Sequence, residues 1–373
     1  MNGLSLRRLF AIARKETIQL RRDPRSLAMA FVVPAAMILF FGYVISFDVK
    51  DIKLAVWDQD RTARSRELVE AFEGSGWFRV VGHVDRAPEV APLLDRASVR
   101  MVLTIPHGFE ADIAAGHPAP VQALVDGADA NTASIALNYA SSIVLAYSAR
   151  TMSAQTLRPP IVVQSRVWYN ETLESSKMIV PGLVAIVMMI IAAQLTALTI
   201  AREWERGTME QLAATPVHPT EVILGKLLPY LGIGMIDMTA VVLIGMFVFD
   251  VPFRGNPFLL FPLALLFLVG ALGLGIFISA SIRSQLLATQ TAMQATFLPS
   301  NMLSGFMYDI ANMPIILQGL SYAVPARYFI TVLRGVFLKG VGVSVLWPQG
   351  FAMLAFATVG LTLAVRSFHK ELE

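Results

Sequence analysis

The run MIVPGLVAIVMMIIAAQLTALTI (178–200) carries no charge over 23 residues. It passes directly into AREWERGTMEQLAATPVHPTEVILGK (201–226), which holds three basic residues, four acidic residues and two prolines. A second apolar run, Leu227–Phe249, starts where those charges stop, and its one ionisable residue is Asp237. A helix rises about 1.5 Å per residue, so ~20 apolar residues cross the hydrocarbon core of a bilayer. The pattern is that of two membrane spans joined by a short, charged link.

The rest of the chain repeats the pattern. Of 373 residues, 55% are hydrophobic and 15% charged, and the mean hydropathy is +0.60. A soluble domain would carry about 25% charged residues. Uncharged runs also occupy Leu27–Phe47, Phe258–Ile282, Leu286–Met307 and Leu346–Val365. Six spans are therefore expected, at 27–47, 178–200, 227–249, 258–282, 286–307 and 346–365. Segment 308–345 contains a further apolar run interrupted by Gln318, Pro325 and Arg327, and reads as extracytoplasmic or re-entrant.

An even number of spans puts both termini on one side. That side carries 13 basic residues, among them Arg7, Arg8, Arg14, Lys15, Arg21, Arg22, Arg202, Arg206 and Lys226. The short opposite loops hold only Arg254, Arg327, Arg334 and Lys339. Lys and Arg stay in the cytoplasm, so both termini and the link 201–226 are expected there. The first span reads as an uncleaved signal anchor, because no small-residue cleavage site follows it. The tail 366–373 is then cytoplasmic as well.

One long polar insertion, 48–177, falls on the outside. It holds 13 basic and 16 acidic residues, against 17 and 11 in the remainder. Its text alternates between the two periods. IKLAVWDQD (52–60), FRVVGHV (78–84), VRMVLTIP (99–106), PVQALVDG (120–127) and IVVQSRVWYN (161–170) read as strands, and helical patterns lie between them. The longest of these helices is Asn131–Leu157. Such alternation predicts a small α/β domain. Asp58, Asp60, Asp126 and Asp129 fall at strand ends. Ligands often bind there, but such acids more commonly cap the helices that follow.

At the other end, residues 1–26 form a connecting segment. Leu6, Leu9, Phe10, Ala13, Thr17 and Leu20 recur at helical spacing, with Arg7, Arg8, Arg14, Lys15, Glu16, Arg21 and Arg22 between them. Asp23-Pro24 ends the pattern. A basic amphipathic helix next to a span is expected to lie in the headgroup plane.

Chemistry is scarce. The chain has no cysteine, five scattered histidines, no HExxH pattern and no GxxxxGK[ST] phosphate loop. Neither a metal site nor a catalytic set is expected. The link 201–226 is the most structured of the cytoplasmic pieces. Thr208-Met209-Glu210-Gln211 has the form of a capping box, and Gly207 permits a sharp turn before it. Met209, Leu212 and Ala213 share one face, and Thr215-Pro216 closes a helix of about two turns. Glu203, Glu205 and Glu210 supply a charged rim. A short helix with an apolar face fits a partner's groove. Asp237 is costly inside a span, which points either to a transport path or to a helix–helix hydrogen bond.

These motifs resemble one family. The segment EWERGTMEQLAATPVHPTEVILGKLLPY resembles the coupling segment of ABC-2 type permeases, the membrane subunits of ATP-binding-cassette exporters. RKETIQLRRDPR resembles the family's connecting helix, and VPFRGN matches the loop after its third span. LPSNMLSGFMYDIANMPIILQGLSYAVPARYFITVLRGVFLKG (298–340) resembles the signature after the fifth, with Tyr308-Asp309 where an apolar-Pro pair is usual. The resemblance covers nearly the whole chain and is nearest to multidrug-type permeases. It implies a transporter subunit rather than an enzyme, a cytoplasmic ATPase partner that binds ATP and Mg, and a groove on that partner for the coupling helix. It also implies a second permease chain, homodimeric or sibling; the small residues of GALGLGIFISAS (270–281) would allow close helix contact either with that chain or within this one. The location expected is the bacterial inner membrane, with no nucleic-acid partner. The competing reading is a membrane sensor with an external ligand-binding domain, for which the cytoplasmic pieces are too short to hold an output domain.

Overall fold

The computed structural model describes residues 5–44, 51–96, 98–127, 130–154 and 174–368. Two compact units emerge, Phe47–Arg166 and the remainder of the chain.

The larger unit begins with helix α1 (Leu6–Arg21), which buries Leu9, Ala13, Glu16 and Leu20 and leaves Leu6 and Phe10 exposed. Helix α2 (Pro24–Val44) follows after two residues. Pro24 starts it because proline lacks only an N–H that the first turn could not bond anyway. The Asp23 carboxylate accepts from the Ser26 N–H and hydroxyl, which caps the same end.

The smaller unit is a four-stranded sheet of order β2-β1-β3-β4, made from β1 (Ile52–Asp58), β2 (Phe78–His83), β3 (Met101–Ile105) and β4 (Gln122–Val125). The β1 strand runs parallel to β2 and β3, and β4 is antiparallel to β3. Helices α3 (Ala63–Glu73), α4 (Val90–Asp95), α5 (Phe109–Ala115) and α6 (Ala130–Ala154) surround it. Period-two alternation sorts the strand residues. Ile52, Leu54 and Val56 pack with Phe72, Phe109 and Ala140, whereas Ala55 and Val102 pack with Val84 and Val90 on the other face. All five residues of β3 are buried, as a strand covered on both faces requires. The strand expected at 161–170, and Asp129, lie outside the described residues.

The acids at the strand ends are occupied. Asp58 accepts from the N–H groups of Asp60 and Arg61 and from the Ser65 hydroxyl. The Asp60 carboxylate accepts from the Thr62 hydroxyl at 2.7 Å and from the N–H groups of Gly108 and Glu110 at 2.8 and 3.0 Å. It thus caps α5 from across the sheet. Asp126 pairs with Arg100 at 2.7 Å.

The chain re-enters the larger unit through α7 (Ser175–Glu205), then α8 (Met209–Ala213), α9 (Pro219–Val248), α10 (Pro257–Ser281), α11 (Gln285–Met302), α12 (Ile315–Ser321), α13 (Pro325–Arg334) and α14 (Val343–Ser367). The α7 helix is apolar all round and buried all round, so it is the hub on which α2, α9, α10, α11 and α13 pack. Small residues set the approach of its neighbours. A Cβ on Gly275 would strike Thr196 and the Ala193 carbonyl of α7, and one on Gly273 would meet the Gly360 backbone of α14. The small residues at 270–281 therefore serve packing within this chain.

Among the described residues, five helices have the length and composition of membrane spans: α2, α7, α9, α10 and α14. The span expected at 286–307 falls on a helix less apolar than these five, α11, which has 18 residues. Gln285, Thr289, Gln290, Gln294 and Thr296 dilute it. A further candidate is a bent pair, Ile315–Ser321 with Pro325–Lys339, which turns by 79° and is either a broken span or the re-entrant segment expected within 308–345. Pro325 sits at that break, where it can start a helix but not continue one.

Candidate functional site

The charged stretch 201–226 is framed by helices that enter it from both sides, α7 ending at Glu205 and α9 starting at Pro219. Gly207 adopts φ +66°. The Gly207 N–H donates to the Trp204 carbonyl and the Thr208 N–H to the Glu203 carbonyl, each at 3.1 Å. These two bonds are the Schellman closure of a helix, which needs a left-handed residue that only glycine adopts cheaply.

That closure removes the expected capping box. Thr208 is drawn into helical geometry (φ −79°, ψ −8°) and makes no side-chain cap. Its hydroxyl turns back to the Glu203 carbonyl. The reciprocal role passes to the next helix, where the Glu221 carboxylate accepts from the His218 N–H at 3.0 Å. A second correction concerns the apolar face of α8. Met209 is 2% exposed and Leu212 is half-buried, both packed on the protein's own core. The outward rim is polar: Glu210, Gln211, Thr215 and Pro216 are exposed.

A buried ionic cluster joins α1 to α7 and α9, the helices on either side of α8 in the chain. Lys226 Nζ on α9 lies 2.8 Å from Glu16 Oε1 on α1 and 3.0 Å from Glu203 Oε1 on α7. Lys15 Nζ on α1 lies 2.6 Å from the same Glu203 oxygen. Glu16, Glu203 and Lys226 are 2%, 6% and 1% exposed. Two ammonium groups balance two carboxylates, which is what permits their burial. Partial burial works against the charge on Lys15, but the Glu203 and Glu16 carboxylates outweigh it and hold the amine above the ordinary lysine range. The close approach of α1 to α9 that brings the groups together depends on Gly225, where any Cβ would meet Ile12 and the Leu9 carbonyl within about 3 Å.

Three further clasps reach the same stretch. Glu221 Oε1 accepts from the Ser5 N–H at 2.7 Å and from Arg8, and Arg8 also donates to the Pro216 carbonyl. Arg202 donates to Asp23 at 2.9 Å. Burial would raise the Asp23 carboxyl, yet the Ser26 hydroxyl and N–H and the Arg202 guanidinium draw it below the usual range. Glu205 accepts from the Gln285 N–H at 2.7 Å and so caps α11.

Glu203 is thus a buried anchor rather than part of the rim, and Glu16 faces inward rather than toward headgroups. Arg14, Arg21 and Arg22 are exposed. Asp237 is 3% exposed on α9, and among the described residues no hydrogen bond or ion pair reaches it. Sequence reading missed the roles of Lys226, Glu221, Arg8 and the Asp23–Arg202 pair. One signal was available: a lysine at the threshold of an apolar run needs a carboxylate, and the motif supplies several.

Comparison with known proteins decides the family. The profile described as "ABC-2 family transporter protein" matches residues 24–366. The chain belongs to the ABC-2 transporter family. It is 37% identical over 364 residues to "Probable multidrug ABC transporter permease YbhS" of Escherichia coli K12, with 96% of each chain covered. To "Probable multidrug ABC transporter permease YbhR" of the same organism it is 27% identical over 367 residues, covering 98% of this chain and 99% of the relative. "Inner membrane transport permease YhhJ" is 25% identical, with 98% of each chain covered. In this ABC-2 permease the residues that resembled a coupling segment and a connecting helix, far apart in sequence, form one tied structure.

Proposed function

We propose that this ABC-2 permease is the membrane subunit of an exporter that carries a drug-like or amphiphilic substrate out of the cytoplasm, using ATP hydrolysed by a separate cytoplasmic subunit that binds ATP and Mg. The names of YbhS and YbhR support the substrate class. The observation that carries the mechanism is the buried cluster of Lys15, Glu16, Glu203 and Lys226. It ties α1 to α7 and α9, the helices that precede and follow α8 in the chain, so a push on α8 would be passed to all three together. The partner's groove would meet the polar rim of Glu210, Gln211, Thr215 and Pro216. The distribution of Lys and Arg supports placing this end, and both termini, in the cytoplasm and the sheet unit outside. A second permease chain would complete the pathway in the bacterial inner membrane, and Asp237, buried without a partner, would line it.

The test is co-purification of the ATPase subunit together with substrate-stimulated ATPase activity in proteoliposomes. Glu210→Arg combined with Gln211→Arg should reduce both at least tenfold while the permease melts normally, since reversed rim charge repels a complementary groove. Asp237→Asn should keep the ATPase subunit bound and lower transport. Full binding and stimulation in the rim variant would remove α8 from the docking surface.

A further inference from the structure

A cavity of about 880 Å³ opens where the α1–α2 elbow, the end of α7 and the start of α11 come together. Its charged lining is strongly one-signed: Lys15, Arg22, Arg25, Arg202 and Arg206 against Asp23 alone. Asp23 is taken by Arg202 and Lys15 by Glu203. Arg22, Arg25 and Arg206 have no ion-pair partner among the described residues. Three guanidiniums without an ion-pair partner at one cavity favour an anion there, and guanidinium forks suit phosphate oxygens.

The apolar part of the lining says what the anion is attached to. Ile18, Met29 and Leu198 complete the wall. From Met29 an outward stripe continues along α2 at helical spacing through Val32, Val33, Leu39, Phe40 and Tyr43, all exposed. On a helix that spans the bilayer, such a stripe faces hydrocarbon. A basic mouth at the end of a span, continuous with an apolar track along it, fits a phosphate that carries acyl chains.

We propose that this cavity is a binding site for an anionic phospholipid, with the headgroup phosphate held by Arg22, Arg25 and Arg206 and an acyl chain laid along α2. Basic pockets between span ends favour such headgroups. The walls come from the elbow that carries α1, from α7 beside Glu203 and from α11, so an occupied site would brace the coupling region against the membrane. The inference needs only that these helices sit in a bilayer, and stands independently of substrate and transport direction.

The experiment is native mass spectrometry and thermal melting of the purified full-length chain with defined lipids. Dioleoyl phosphatidylglycerol should be retained and raise the melting temperature, and dioleoyl phosphatidylethanolamine and inorganic phosphate should not. Each arginine removed should weaken retention about fivefold, so Arg22→Gln/Arg25→Gln/Arg206→Gln should lose it by about 100-fold. Arg7→Gln/Arg14→Gln, which removes exposed charge outside the cavity, should keep it. If the triple variant does not fold, Arg206→Gln should show the fivefold loss and Arg206→Lys should recover most of it. Equal retention of both lipids, displacement by inorganic phosphate, or unchanged retention in the cavity variants would overturn the site. So would a cavity variant that keeps the lipid but loses the ATPase subunit, which would make this surface a protein dock.

Discussion

Lys226 and Glu16 stand 210 positions apart in the sequence, yet their charged atoms meet at 2.8 Å in a place that water scarcely reaches. The contact joins helix α1 to the first turns of α9, and Glu203 extends it to α7. A buried pair of this kind adds little net stability over an apolar substitute, but breaking it leaves a lone charge behind. Its effect is to make three elements move as one.

Lys226→Met should therefore cost about 3–5 kcal/mol, because Glu16 and Glu203 are left buried with only the half-exposed Lys15 amine to balance two carboxylates. Lys226→Met with Glu16→Gln should cost clearly less than the single change, since Lys15 and Glu203 remain a balanced pair. A double-mutant cycle on detergent-solubilised protein measures the coupling. Simple additivity would mean that the two side chains do not share their burial.

Gly207 and Thr208 should respond in the reverse order to that suggested by the sequence motif. Gly207→Val forces a branched side chain into the left-handed region and should cost at least ~1–2 kcal/mol. Thr208→Ala removes no cap and should stay within about 0.5 kcal/mol. Thermal melting distinguishes the two. A large loss at Thr208 would show that its hydroxyl caps α8 after all.

Asp60 gives the sheet unit an acid limit. Burial would raise its carboxyl, but the Thr62 hydroxyl and the N–H groups of Glu110 and Gly108 hold it below the usual carboxylate range. A depressed pKa contributes stability that is complete above about pH 4, the unfolded value, and disappears as pH falls through the folded one. The protection of the amides at residues 108–112 against exchange, relative to their intrinsic rate at each pH, should thus fall on acidification below pH ~4. Asp60→Asn should weaken the cap by about 1 kcal/mol at neutral pH and flatten that dependence. An unchanged acid profile in the variant would assign it to another group.

Topology can be read with single cysteines, because the chain has none. Ser141→Cys on α6 and Gln211→Cys beside α8 are both exposed positions. An impermeant maleimide should label residue 141 in intact cells and residue 211 only after permeabilisation. Labelling of residue 211 from outside would invert the arrangement. Ser65 would be a poor reporter, since it is fully buried and donates to Asp58.

Much of this protein was legible without coordinates, wherever a local rule suffices. Apolar runs such as 178–200 and 227–249 leave a helix as the one way to satisfy their backbone in lipid. IKLAVWD and MVLTI read as strands from their β-branched and apolar runs, and the end of α1 followed from Asp23-Pro24. Family membership was visible because its motifs are contiguous. What only tertiary structure decided concerns competition between neighbours. Thr208 has the sequence of a cap, but its backbone closes α7 first, and one residue cannot be both a helical C-terminal position and an extended cap. Met209 and Leu212 have the spacing of a docking face, but the core behind them claims that surface. Glu16, Glu203 and Lys226 read as solvated charges at three distant points, and only the close approach of α1 to α9 over Gly225 makes them a buried cluster. Pairing energies depend on distance and dielectric, and neither is written along the chain.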